Sequence, residues 1–317
     1  MGKHDRKSKT SFRFCLKVYR IQIVSLSRIY SGFFMVNFNG NLVSNSEAKI
    51  SITNRGYKYG DALFETIRVV SGKALFLEDH YFRLMASMRI MRMDIPMNYT
   101  MEFFDEEIIK TVEANNFDGN FARVRLNVDR GDGGKYMPNK NAKINFSVVA
   151  ETLDSPFYLS HTFQDYIVDL YKDFYVAPGL LSSLKSNNKA IQIVGSVYAE
   201  ENGWKNCLVL NTNKSIIEAL NGNLFLVIGN SIKTPPLEDG CLKGVMRKQI
   251  LSLLQNNPNY NIEEVSISPF ELQKADELFI TNTIVGIQSI GQYRKKKYNN
   301  TVAEDILKSL NVKLRLG

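Results

Sequence analysis

The sequence predicts an α+β fold in two domains: a small α+β domain over residues 35–151 and a larger, β-rich domain over residues 160–317, with a linker at 152–159. Three observations carry this. Strand-like and helix-like periodicities alternate from Met35 to about residue 151. The stretch Thr152-Leu153-Asp154-Ser155-Pro156 is polar and proline-marked between two periodic regions, as a junction would be. Beyond it, short strand-like runs outnumber helical ones, and 317 residues suffice for two medium domains with buried cores.

Each element has a local reason. Met35-Val36-Asn37-Phe38 reads as a short strand entering an Asn39-Gly40 hairpin turn. Residues 63–70 read as a strand, Ser71-Gly72-Lys73 as its turn, and 74–76 as the returning strand. A helix over 78–91 stacks Leu84, Met88 and Met91 at helical spacing, which marks a core stripe. A second helix spans about 101–114, and strands cover 121–128 and 143–149. In the larger domain, helices are expected over 188–202, stopped at Gly203, and over 245–254. Ser268-Pro269-Phe270-Glu271 combines a capping box with proline at the first helical position, predicting a short helix. Residues 277–280 read as a strand and Lys295-Lys296-Lys297 as a solvated loop.

Bulk composition narrows the function classes. No apolar run approaches the roughly 18 residues of a membrane helix. Three cysteines (Cys15, Cys207, Cys241) lack pairing or zinc-like spacing, which fits a reducing, cytoplasmic setting and no metal. The formal charge of +8 is localised: of 40 basic and 32 acidic residues, eight basic and one acidic lie in residues 1–34, so the remainder carries 32 against 31. That distribution argues against nucleic acid as a partner, and residues 1–34 read as a basic, disordered or non-native extension before a domain that begins at Met35.

Four motifs follow in order: Leu184-Lys185-Ser186-Asn187-Asn188, Glu218 with Asn223-Leu224-Phe225, Gly244-Val245-Met246-Arg247, and Thr281-Asn282-Thr283. Upstream stand Asp79-His80 and Arg83-Leu84. Together they supply an amine, a carboxylate and two anion-binding turns, the needs of an aldehyde cofactor with a phosphate tail. In this order they resemble the fold-type IV pyridoxal phosphate enzymes, the family of branched-chain and D-amino acid aminotransferases and aminodeoxychorismate lyase. The resemblance covers nearly the whole chain from Met35.

The resemblance implies that Lys185 forms the imine with pyridoxal 5'-phosphate, that Glu218 faces the pyridine nitrogen, and that Val245, Met246, Thr283 and Arg83 hold the phosphate. Met246 stands where many transaminases of the family have threonine, and Lys189 where they commonly have tyrosine; both departures look like the lyase branch. Tyr59, Phe64, Arg125 and Lys189 correspond to substrate-pocket positions, and Arg123 shares a strand face with Arg125. A homodimer is implied as well. The leading expectation is 4-amino-4-deoxychorismate lyase chemistry, supported by residues 63–68, Met246 and Lys189. The alternative is a transaminase for branched-chain or D-amino acids with 2-oxoglutarate.

Overall fold

The computed structural model describes residues 34–117, 121–255 and 257–316. In chain order the first part holds β1 (Met35–Phe38), β2 (Asn41–Ser44), α1 (Arg55–Tyr59), β3 (Ala62–Val70), β4 (Lys73–Ala74), α2 (Leu77–Ile90), α3 (Met101–Asn115), β5 (Phe121–Asp129) and β6 (Asn145–Thr152). Its strands form one antiparallel sheet in the order β2-β1-β6-β5-β3-β4. Asn39 and Gly40 take φ values of 51° and 86°, the paired positive values of a two-residue hairpin. Val124, Leu126 and Val128 of β5 join Leu84, Met88, Phe104 and Ile108 of α2 and α3 in one core. The alternate residues Arg123, Arg125 and Asn127 therefore take the opposite face of the sheet.

The second part holds β7 (Ile167–Val176), α4 (Ala190–Glu201), β8 (Asn206–Asn211), β9 (Ile216–Ala219), β10 (Asn223–Ile228), β11 (Ser231–Thr234), α5 (Val245–Gln255), β12 (Asn261–Glu264), β13 (Glu277–Asn282), β14 (Gly286–Ile290), β15 (Gln292–Tyr293), β16 (Lys296–Lys297) and α6 (Thr301–Leu316). Two five-stranded sheets result, β12-β11-β10-β13-β14 and β16-β15-β7-β8-β9. Their central strands are apolar at successive positions because both faces are covered. Leu224 and Leu226 of β10, with Leu278 and Ile280 of β13, meet Leu208 and Leu210 of β8 between the sheets. Phe225 and Phe279, stacked at 5.0 Å, point outward to Ile250 and Leu254 of α5 and Ile306 and Leu310 of α6. On the other side Cys207 and Val209 pack with Ala199 of α4.

Local expectations are corrected in three places. The returning strand after Lys73 ends at Ala74, because Phe76 turns to φ 56° and α2 starts at Leu77. The Glu271 carboxylate accepts from the Ser268 amide at 3.0 Å, half of a capping box, yet the helix is a single 3-10 turn, Glu271–Gln273, because β13 begins at Glu277. The lysine run lies in the β15–β16 hairpin rather than a loop, with Arg294 at φ 54° in its turn. β6 pairs with β5 as far as Thr152, and the other sheets use only residues from Ile167 onward. We propose 152–159 as the domain junction on that basis. The reading of residues 1–33 lies outside the described residues.

The two parts are joined by polar clamps. Arg68 of β3 donates to the carbonyls of Ile284 at 2.7 Å, Phe157 at 2.9 Å and Ser155, and its guanidinium lies 4.7 Å over the Tyr158 ring. Asp79 of α2 accepts from Gln249 of α5 at 2.6 Å and from Lys248.

Candidate active site

Between the two parts lies a cavity of about 490 Å³. Apart from Tyr59, every residue singled out above as catalytic, cofactor-binding or substrate-binding lines it.

Lys185 is held by β3. The Phe64 amide donates to the Lys185 carbonyl and the Asn187 amide to the Ala62 carbonyl, both at 2.9 Å, so residues 185–187 lie along the strand as a short extra edge. The ammonium then sits 4.4 Å from the centre of the Phe64 ring. Burial lowers its pKa most, the Arg83 guanidinium adds to this, and Glu65 opposes only in part; the result is about 7. Asn187 also donates to Asn127 at 2.9 Å and accepts from Arg125 at 3.1 Å. Its neighbour Asn188, the position that matched the Lys-x-x-Asn pattern, is exposed and packs near Gly60.

Glu218, on β9, accepts from the Leu242 amide at 2.9 Å. Burial raises its pKa, while the Leu242 bond and the Lys189 charge pull the other way. Lys189 caps the start of α4, and burial lowers its pKa against the pull of Glu218.

The anion cradle follows from Asn223. Its Nδ2 donates to the Leu242 carbonyl at 2.8 Å, and a Cβ on Gly244 would lie 1.9 Å from its Oδ1, so the loop into α5 closes only on glycine. α5 begins at Val245, and the first-turn amides of a helix have no acceptor within it. The Met246 side chain is buried in the core with Phe225 and Phe279, so this residue can offer only its amide. Across the cavity, the Thr283 hydroxyl donates to the Thr66 carbonyl at 2.7 Å. The buried Thr281 hydroxyl has no partner among the described residues and lines the same wall. An unpartnered hydroxyl, a glycine-only turn and a helix start fit a phosphate tail.

Arg83 reaches in from α2. Its Nε donates to Glu65 Oε1 at 2.8 Å, its Nη2 to the other oxygen, and its Nη1 to the Lys243 carbonyl at 2.9 Å. His80 Nδ1 lies 2.6 Å from Glu65 Oε2. Burial pushes the Glu65 carboxyl up, but Arg83 and the hydrogen bond with His80 outweigh it and hold it down at about 2. Sequence reasoning missed Glu65, Asn223 and Thr281 as site residues, although each stood inside a quoted motif.

Arg125 stacks 3.7 Å over the Phe64 ring and has no carboxylate partner among the described residues. Arg123 does, pairing with Glu151 at 2.8 Å. Tyr59 lines an adjoining cavity of about 870 Å³, 5.8 Å from the Tyr136 ring, because α1 ends at Gly60 in the left-handed region before β3 starts. The two cavities share Ser182, Lys189, Gln192 and Glu218.

A family model described as amino-transferase class IV matches residues 62–293. A Methanocaldococcus jannaschii protein provisionally named a branched-chain-amino-acid aminotransferase is 29% identical over 283 residues, covering 88% of this chain and 95% of the relative. The D-alanine aminotransferase of Staphylococcus aureus (strain MSSA476) is 25% identical over 250 residues, covering 77% and 84%. Among solved structures, the branched-chain aminotransferase of Thermoproteus uzoniensis superposes with a TM-score of 0.78 at 24% identity, covering 88% of this chain and 93% of that one. A Legionella pneumophila chain provisionally named a 4-amino-4-deoxychorismate lyase does so at 0.73 and 24%, covering 84% and 96%. Both share the fold.

Proposed function

The chain belongs to the class IV aminotransferase family and is a pyridoxal phosphate-dependent enzyme; from this premise we propose that it transfers the amino group of an amino-acid substrate whose carboxylate is held by Arg125. The observation that carries the reading is the shared ring: Lys185 and Arg125 both lie over Phe64, so an amine-reactive centre stands beside a guanidinium that has no carboxylate partner among the described residues. The named aminotransferases among the relatives support it.

Bound in the cavity, pyridoxal phosphate supplies an aldehyde that takes up amines and a ring that draws electrons from the adjoining carbon. We assign its phosphate to the Gly244 turn, the amides of Val245 and Met246, the Thr281 hydroxyl, the turn at Thr283, whose own hydroxyl is engaged by the Thr66 carbonyl, and Arg83. Glu218 is assigned to hold the proton at the pyridine nitrogen. Lys185, near neutrality, is present in both protonation states at pH 7, so its Nζ can take a proton from the substrate carbon and give it back.

A second reading, elimination of pyruvate from 4-amino-4-deoxychorismate, is favoured by Lys189 on the cavity wall and by the absence of a hydroxyl at Met246. There Lys185 Nζ would take a ring proton as pyruvate leaves. Assaying transfer from branched-chain and D-amino acids to 2-oxoglutarate beside pyruvate release separates the two. Transfer whose KM rises in Arg125→Met supports the first reading; pyruvate release without transfer replaces it with the second.

We also propose a homodimer. Leu180 and Leu181, and Ile193, Val194 and Val197 of α4, are exposed apolar side chains, Leu181 lines the larger cavity, and a second copy would cover them. Light scattering that finds only monomer in an active sample would exclude it. No described helix is long and apolar enough to cross a membrane.

A further inference from the structure

We propose that Glu65 is a positioning residue for anion binding: with His80 behind it, it fixes the Arg83 guanidinium so that only one edge of that group is free to meet the cofactor's phosphate. The inference rests on the reading above that Arg83 contacts the phosphate.

The geometry is specific. Glu65 lies on β3, and its carboxylate takes Nε and Nη2 of Arg83 in a two-bond fork while His80 Nδ1 holds its outer oxygen. The side chains of Glu65, His80 and Arg83 are 2%, 1% and 8% exposed, so the assembly is shielded from water. A fork of this kind fixes the guanidinium plane, which a single bond would leave free to rotate. Nη1 is anchored to the Lys243 carbonyl, one residue before the glycine that opens the α5 cradle. Three of the five guanidinium N–H groups are thereby used, leaving two for a ligand. Glu65 also balances the Arg83 charge, so the free Arg83 edge recognises an anion by directed hydrogen bonds more than by bulk attraction. Buried Glu65 would otherwise be an isolated carboxylate, and Arg83 is the partner that makes its burial tolerable.

The test compares affinity for pyridoxal phosphate with affinity for pyridoxal, both followed through the bound chromophore. The ratio isolates the phosphate, because a change in Lys185 alters both ligands alike. Arg83→Ala should lower the preference for the phosphorylated form by about 10- to 100-fold. Glu65→Gln should lower it comparably, and Glu65→Gln with Arg83→Ala should be no worse than Arg83→Ala alone, since both act through one group. If Arg83→Ala lowers the preference and Glu65→Gln does not, the positioning role is wrong. Should Arg83→Ala leave the preference intact, the phosphate assignment of Arg83 itself fails and takes this inference with it. Where Glu65→Gln does not fold, His80→Asn, whose amide nitrogen can stand in for Nδ1, is compared with His80→Leu. The preference should survive in Asn and fall in Leu; equal preference in both would overturn the proposal.

Discussion

The pH dependence of cofactor capture tests the site directly, because the attacking amine must be unprotonated. A lysine at its ordinary value of 10.5 would be free base at pH 7 in about one molecule in 3,000, whereas at about 7 roughly half the molecules are ready. Burial is the largest cause of that difference and Arg83 the next, with Lys189 and Arg125 adding as like charges and Glu65 opposing. Mixing cofactor-free protein with excess pyridoxal phosphate between about pH 5.5 and 9.5, and following the violet-edge absorbance, should give a rate that rises to a plateau with its midpoint near 7. Repeating this with pyridoxal removes the phosphate's own titration. Lys189→Gln deletes a like charge and should move the midpoint upward. The same shift acts on stability: the folded pKa lies below the unfolded one, so the unfolded chain binds more protons between about 7 and 10.5. Cofactor-free protein should therefore gain stability with rising pH across that window, and Lys185→Met should flatten the gain. A capture rate that climbs tenfold per pH unit past pH 9 without a plateau would refute the argument.

Three further outcomes follow from named contacts. Glu218→Gln should keep the chromophore but lower kcat by about 10²-fold or more, since the carboxylate tunes the ring while the cradle holds the phosphate; an unchanged kcat would remove it from the chemistry. Gly244→Ala forces Cβ against Asn223 Oδ1, breaking the 2.8 Å bond to Leu242, and should weaken pyridoxal phosphate binding by about tenfold. Equal affinity in a titration would mean that the loop does not form the cradle. Arg68→Met strips donors from the carbonyls of Ser155, Phe157 and Ile284, which should cost about 3 kcal/mol in urea unfolding; a loss below about 0.5 kcal/mol would show that water replaces the clamp.

What the sequence discloses depends on how far apart the interacting residues are. The Asn39-Gly40 hairpin, the Leu84–Met88 stripe and the apolar run of β10 are legible because each is specified by neighbours within a few positions. Arg68 carries no such signal: its partner Ile284 is 216 positions away, and a strand arginine looks locally like any solvated one. Glu65 is similar, since a carboxylate beside Thr66 and Arg68 in β3 gives no sign that His80 and Arg83, 15 and 18 positions on, will converge on it. For Tyr59 the motif match is local, while the short α1 and Gly60 decide that the ring lines the neighbouring cavity, which no adjacent residue discloses. For Lys185 the direction of the pKa shift could be argued from chemistry, because an imine-forming lysine works best when desolvated. The size of the shift could not, because it depends on Arg83 from α2 and on β3 pinning the lysine backbone, neither of which adjoins it in the chain. Local pattern therefore locates the reactive groups, and long-range pairing sets the charge and orientation they react with.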